Sequence, residues 1–289
     1  MLGKKIHQFL TSYRLFSLPD RVAALEKRIN QLDNVLATRE EFERLKSSLE
    51  VPRELLDEFA NWKLQNPIPA EPFVSICVVT YNRARLLTER CLPSLLRQTY
   101  DKFELIVVAD RCTDDTKELV ERIGDPRITF FNLWDRPEYP SDPRLRWMSA
   151  GAPAAIKSLS MAKGDFITHL DDDDEHMPDR LEKLVKFAIE NQCDMVWHPF
   201  WWEERDGSWH LFEAKDFAFG NVTHSSVFYR GWFKNIKPAI EPHLLLEPGD
   251  WHRFRRIKYF NPVAMRYPEP LLRHYREMGQ QASSAKATT

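Results

Sequence analysis

The sequence predicts an α/β fold with a mainly parallel, twisted sheet flanked by helices and preceded by a helical N-terminal segment. Three observations carry this reading. Strand-like and helical stretches alternate from Phe73 onward. The runs "FVSICVVTY", "KFELIVVAD" and "DFITHL" are almost continuously apolar, as strands covered on both faces are. Two of them close on acid, Asp110 and Asp171, and the ends of parallel strands open on one edge, where such sheets hold ligands.

Taken in order, the chain begins with a helical segment over residues 1–70. "MLGKKIHQFLTSYRLF" sets Ile6, Phe9, Leu10 and Tyr13 on one face, a pattern that suits a membrane interface or a packed partner helix. Leu18, Val22, Leu25, Ile29, Leu32 and Leu36 then form a short a/d seam of about three heptads, suited to joining subunits or to packing on the following domain. Thr38 with Glu41 reads as a capping box, and "NPIPAEP" as a linker. The α/β domain is expected over 71–278 and a disordered tail over 279–289. Within the domain, "LLTERCLPSLLRQ" reads as a helix despite Pro93, and "DDTKELVERI" as a second. "RITFFNL" is the third strand, and "APAAIKSLSMAKG" a helix ending at Gly164. "MPDRLEKLVKFAIENQ" is a proline-started helix, and "CDMVWHPFWW" a strand after it.

Charge and cysteines bound the function classes. Lys and Arg number 41 against 43 Asp and Glu, which argues against the basic field that nucleic-acid binding needs. Seven basic residues against Glu269 between Trp251 and Arg276 form a stretch that suits phosphate or a solvated helix face. The four cysteines have no metal-ligand spacing, and reduced thiols in a cytoplasmic protein are the simplest expectation. No secretory signal is visible and no apolar run approaches the ~20 residues of a spanning helix, so any membrane contact is expected to be peripheral.

The strongest chemical signal is the run Asp171-Asp172-Asp173-Asp174, between a strand and a proline-started helix. Adjacent carboxylates repel one another, and a divalent cation with oxygen ligands relieves that repulsion. The competing reading is a solvated acidic loop or a capping cluster. Thr80, Tyr81 and Asn82 close the first strand on the same edge, so an aromatic ring, hydrogen-bonding groups and carboxylates gather there. A carboxylate accepts the N–H of a base, and a tyrosine ring stacks on it. Neither G-x-G-x-x-G nor G-x-x-x-x-G-K-[ST] occurs, which speaks against nicotinamide enzymes and P-loop NTPases.

"VSICVVTYNRARLLTERCLPSLLRQTYDKFELIVVADRCTDDT" followed by "AKGDFITHLDDDDEHMPDRL" resembles the nucleotide-binding half of a family-2 glycosyltransferase with the GT-A fold, over about Phe73 to Gln192. A weaker match continues through "VTHSSVFYR" and "EPGDWHRFRRI". The resemblance implies an inverting, hexosyl-type transfer from a nucleotide-diphosphate sugar, UDP or dTDP by preference, to an acceptor hydroxyl in surface polysaccharide or glycoconjugate synthesis. Mn²⁺ or Mg²⁺ would assist. It implies nucleotide-binding roles for Thr80, Tyr81, Asn82, Arg83, Asp110 and Asp172, metal ligands in Asp171 and Asp173, and a catalytic base in Asp250. A glycan or lipid-linked acceptor, a homo-oligomer through the N-terminal helices and peripheral membrane contact complete the expected partners, with no nucleic acid among them.

The sequence departs from the family pattern in places. Ala109 and Arg111 flank Asp110 where an acidic pair and Gly-Ser are usual. Ala154-Ala155-Ile156 stand where Ala-Arg-Asn is common, so the donor arginine must come from elsewhere, with Arg83, Arg111, Arg144 and Arg146 as candidates. Met278 occupies the place of a late histidine. His274 offers a late metal or phosphate contact, with a structural surface role weighed ahead of it. Trp197, Phe200, Trp201, Trp202 and Trp209 are expected to divide between the core and an acceptor cleft, and His198, His224 and His252 are further polar candidates there. The competing function is a catalytically inactive sugar-binding or scaffold protein.

Overall fold

The computed structural model describes residues 47, 49 and 51–276. The leucine seam, the amphipathic start, the Thr38–Glu41 box, Met278 and the tail at 279–289 lie outside the described residues. The chain divides into two units, Met1–Glu50 and Val51–Thr289, and the second carries the sheet.

Its order is α1 (Arg53–Gln65), β1 (Val74–Thr80), α2 (Ala84–Leu86), a π-helical turn Leu87–Cys91, α3 (Leu92–Leu96), β2 (Phe103–Ala109), α4 (Thr116–Ile123) and β3 (Ile128–Asn132). There follow α5 (Pro143–Ser149), α6 (Ala152–Met161), β4 (Phe166–Asp171), β5 (Glu175–His176), α7 (Arg180–Glu190), β6 (Met195–Trp197), β7 (Phe200–Glu203) and β8 (Trp209–Phe212). The 3₁₀ turn His224–Ser226, β9 (Val227–Arg230), α8 (Gly249–Ile257), β10 (Ala264–Arg266) and β11 (Leu272–His274) complete the site-bearing elements.

Seven strands form the main sheet in the order β10-β6-β9-β4-β1-β2-β3. β1, β2, β3 and β4 are parallel, whereas β9 runs antiparallel to both β4 and β6. Alternate residues serve two buried layers. Val74, Ile76 and Val78 pack with Leu92, Leu95, Leu181 and Leu184 on one face. Cys77, Ile106 and Val108 pack with Leu159, Phe233 and Phe254 on the other. The register pairs Thr80 with Ala109 and Val79 with Asp171, so the three chain segments that leave β1, β2 and β4 emerge side by side.

Local chemistry explains the departures from expectation. Pro93 lacks an N–H, and the helix accommodates it with the π turn immediately before α3. The expected strand "CDMVWHPFWW" breaks at Pro199 into β6 of the main sheet and β7 of a second, four-stranded sheet, β5-β11-β7-β8. α6 stops at Met161 rather than at Gly164. Gly164 serves close approach instead: a Cβ there would lie 2.4 Å from the Phe166 carbonyl oxygen and 2.5 Å from the Ser75 nitrogen.

The domain boundary also moves. α1, assigned from sequence to the N-terminal segment, belongs to the α/β unit. Phe59 is buried, with ring centroids 4.8 Å from Phe233, 5.0 Å from Trp232 and 5.7 Å from Phe260. Lys63 Nζ reaches Asp194 Oδ2 at 2.5 Å. The basic stretch near the C-terminal end is likewise absorbed. Arg253 donates to the Ile236 and Phe233 carbonyls, Arg256 to those of Lys237 and His252, and Arg255 and Arg266 pair with Glu247 and Glu213.

Candidate active site

The first cluster stands at the ends of β1 and β2. Asn82 and Arg111 both take left-handed backbone angles, φ 51° and 62°, which turn the chain sharply off the two strands. Asn82 fastens one loop to the other: its Oδ1 accepts from the Thr113 N–H at 2.8 Å, and its own N–H faces Cys112 Sγ at 3.1 Å. Tyr81 remains exposed at 42%, with the Arg136 guanidinium 3.6 Å from its ring centroid. Arg136 Nε also donates to Asp110 Oδ2 at 2.9 Å, and the Tyr139 hydroxyl to the same oxygen at 3.0 Å. The other oxygen, Asp110 Oδ1, is buried with no hydrogen-bond partner. Arg136 and Tyr139 were not expected from sequence. They lie in "WDRPEY", a loop with no periodicity, and a tyrosine–arginine–aspartate contact across such distances leaves no local signature.

The second cluster is the acidic run after β4. The four carboxylates do not act alike. Asp172 accepts from Thr80 Oγ1 at 2.7 Å and from Arg83 Nη1 at 3.1 Å. Asp173 Oδ2 pairs with the same Nη1 at 2.5 Å, and its carbonyl accepts from Arg90 Nη1 at 2.7 Å. Arg90 comes from the π turn and stacks on Tyr275 at 3.8 Å. Asp174 Oδ2 meets His274 Nδ1 at 2.7 Å, and its Oδ1 accepts the Tyr275 N–H at 3.0 Å. Asp171, Asp174 and His274 each offer a ligand atom within 4.8 Å of the others'.

The electrostatics follow from this packing. Burial, with Asp174 and Asp173 adding like charge, pushes Asp171 well above the usual carboxylate range. Burial also raises Asp174, against the pull of His274. Asp172 is pushed up to about 6 by burial, with Arg83 opposing. Burial disfavours the charge on His274, but the neighbouring Asp174 outweighs it and raises the imidazole. His274 is therefore an inward group with a side chain 13% exposed, which corrects the expected surface role. Two carboxylates and an imidazole are a donor set that fits a divalent cation. Of the two expected metal ligands, Asp171 joins this cluster, and Asp173 takes the ion pair with Arg83.

The third element is Asp250. Pro248 is the N-cap of α8, so Asp250 stands inside the first turn rather than capping it. It is partly exposed, and its carboxylate accepts from the backbone N–H of Trp251, at 2.6 Å, and from that of His224. Burial nevertheless pushes its carboxyl up to about 6. Gly249 beside it permits close approach, since a Cβ would lie 3.1 Å from the Met148 carbonyl oxygen in α5. The 3₁₀ turn His224–Ser226 ties Asp250 to the acidic run. His224 donates its N–H to Asp250, and Ser225 Oγ accepts the Asp171 N–H at 3.0 Å. Ser225 is steadied in turn: its carbonyl accepts from the fully buried Arg180.

The remaining candidates are mostly structural. Trp197 Nε1 donates to the Ala214 carbonyl, Phe200 is buried, and Trp202 packs on His274. His198 accepts from Arg180, His224 stacks on His169, and His252 is fully buried. Arg146 donates to the carbonyls of Pro140 and Ser141. Of the candidate donor arginines, Arg83 alone is joined to the acidic run among the described residues.

A family model described as glycosyl transferase family 2 matches residues 75–257. Over 132 residues the chain is 35% identical to WcaA of Escherichia coli, a provisionally assigned colanic acid biosynthesis glycosyl transferase, covering 45% of this chain and 41% of that protein. The chain spans about half the length of the curated relatives it matches. Staphylococcus aureus TarS 1-349, solved with UDP-GlcNAc, aligns with a TM-score of 0.55 and 21% identity over 74% of this chain and 61% of that one. The mannosyltransferase PcManGT of Pyrobaculum calidifontis, solved with GDP-Man and Mn²⁺, aligns with a TM-score of 0.52 and 18% identity over 81% and 67%. These likenesses show a shared GT-A fold.

Proposed function

From the premise that the chain belongs to glycosyl transferase family 2, we propose that it transfers a hexosyl group from a nucleotide-diphosphate donor, UDP- or dTDP-linked, to an acceptor hydroxyl, with inversion. The observation that carries the reading is the gathering of Asp110, the acidic run and Asp250 through the ends of β1, β2 and β4 and the 3₁₀ turn that bridges two of them. The base is held by Tyr81 and by the unpaired Oδ1 of Asp110, which suits the imide N–H of a pyrimidine. Thr80 and Asn82 fix the loops on which these groups stand.

Asp171, Asp174 and His274 are the residues suited to a divalent cation, with Asp173 in the same turn. A cation held there would supply positive charge to offset the charge developing on the leaving diphosphate. Arg83, paired with Asp172 and Asp173, is a cation for which a diphosphate would compete. Asp250 removes the acceptor's proton as its oxygen attacks the anomeric carbon, in one displacement that releases the nucleoside diphosphate. A carboxyl pushed up to about 6 is a stronger base than a free aspartate and remains ionised at neutral pH.

The relatives' role in polysaccharide synthesis supports a glycan or lipid-linked acceptor. No helix of the described residues is long and apolar enough to cross a membrane, which is compatible with work at an inner membrane face through peripheral contact. Incubation with UDP-, dTDP- and GDP-sugars, with and without Mn²⁺, tests the reading. Nucleoside diphosphate release from a UDP or dTDP donor supports it, and release from none of the three contradicts it.

A further inference from the structure

Sequence reasoning gave the tryptophans of the β7–β8 hairpin to the core or to an acceptor. One of them packs against the cation cluster. β11 pairs with β7 in parallel and sets His274 opposite Trp202. The two rings lie 4.5 Å apart at 35°, and Phe200, two residues earlier on β7, meets the imidazole edge-on at 6.4 Å. Trp202 is itself partly buried against the main core.

We propose that Trp202 is a positioning residue of the cation site, holding the His274 imidazole in the orientation that completes the Asp171–Asp174–His274 set. The inference rests on the cation reading of that set. β11 is only three residues long, and His274 is its last residue. Asp174 fixes one ring nitrogen, but a single hydrogen bond leaves the imidazole free to swing about it. Two aromatic walls remove that freedom, so the imidazole is ordered before a cation arrives. The hairpin thereby supports the cation site, and one tryptophan of the stretch 196–209 acquires a role other than sugar stacking.

The test uses the full chain and Mn²⁺ alone, with free Mn²⁺ counted by electron paramagnetic resonance and folding checked by thermal melting. Trp202→Leu should weaken Mn²⁺ binding about 10–100-fold, the range typical of lost outer support to a metal ligand, while Trp202→Phe stays within about threefold of wild type. In a His274→Ala background, Trp202→Leu should change nothing further, because the ring it positions is gone. If the Leu variant does not fold, Trp202→Met, which fills the space with a flexible chain, takes its place. Equal Mn²⁺ affinity in wild type and Trp202→Leu overturns the inference, as does the same weakening in the His274→Ala background. A wild-type chain that holds no Mn²⁺ overturns the cation reading itself, a distinct result.

Discussion

Arg83 and Asp173, on loops that leave β1 and β4, are joined at 2.5 Å, and the same Arg83 nitrogen reaches Asp172 at 3.1 Å. One guanidinium therefore screens two members of a run of four adjacent carboxylates. Arg83→Ala should leave that run under-compensated. A fully buried pair costs about 3–5 kcal/mol when broken, and the Arg83 side chain is 36% exposed, so a loss on the order of 1–2 kcal/mol is expected. Chemical denaturation measures it. Added Mn²⁺ should restore more stability to Arg83→Ala than to wild type, and an equal gain in both would contradict the screening role.

Asp250 sits within the first turn of α8 and not at its cap, so its helix should tolerate the amide. Asp250→Asn is expected to keep its melting temperature and UDP affinity and to lose roughly 10²–10⁴-fold in turnover, because the amide is no base. Steady-state kinetics with an identified acceptor decides it, and near-normal turnover removes Asp250 from the mechanism.

The pH dependence follows with a definite sign. With its carboxyl pushed from 3.8 to about 6, Asp250 works as a base only when ionised. kcat should be flat above about pH 7 and fall about tenfold per unit below pH 6. A raised carboxyl pKa contributes stability below the unfolded value and loses it as pH rises through 6, so acid does not unfold the protein through this group. Asp172, also pushed up to about 6, titrates in the same window. KM for the donor, followed alongside kcat, separates the two. A kcat flat to pH 5 contradicts the assignment.

Truncation tests the revised boundary. Removing residues 1–50 should leave the melting temperature of the α/β unit nearly unchanged. Removing α1 as well takes Phe59 from its contacts with Trp232, Phe233 and Phe260. Phe59→Ala alone should cost about 3–5 kcal/mol, the usual range for a buried phenylalanine. Equal melting temperatures for the chains starting at 51 and at 67 would return α1 to the N-terminal segment.

What could be read in the sequence had local periodicity behind it. β1, β2 and β4 are apolar runs ending in polar or acidic groups, and those ends meet on one edge as expected. The acidic run was visible because its repulsion is local. The contacts at these strand ends were not: His274 and Arg83 stood among the candidates, but nothing local paired them with Asp174 or with Asp172 and Asp173. His274 reaches Asp174 across 100 residues, and Arg136 reaches Asp110 across 26, through loops whose composition says nothing about direction. Of the second sheet, β7 lay within an expected strand, but β5, β8 and β11 were hidden: strands of two to four residues carry too few alternations to show a period. α1 was misassigned because "NPIPAEP" punctuates the sequence between two parts of one core.

The central claim is that the carboxylates after β4, with His274, form a cation site that holds a nucleoside diphosphate. Calorimetric titration of UDP into the full chain, with and without Mn²⁺, for wild type and Asp171→Asn, tests it most directly. The account predicts that Mn²⁺ tightens UDP binding to wild type by about tenfold or more, and that Asp171→Asn loses this gain while melting as a folded protein. UDP affinity that is the same with and without Mn²⁺ in wild type, or a Mn²⁺ gain that survives in Asp171→Asn, would contradict it.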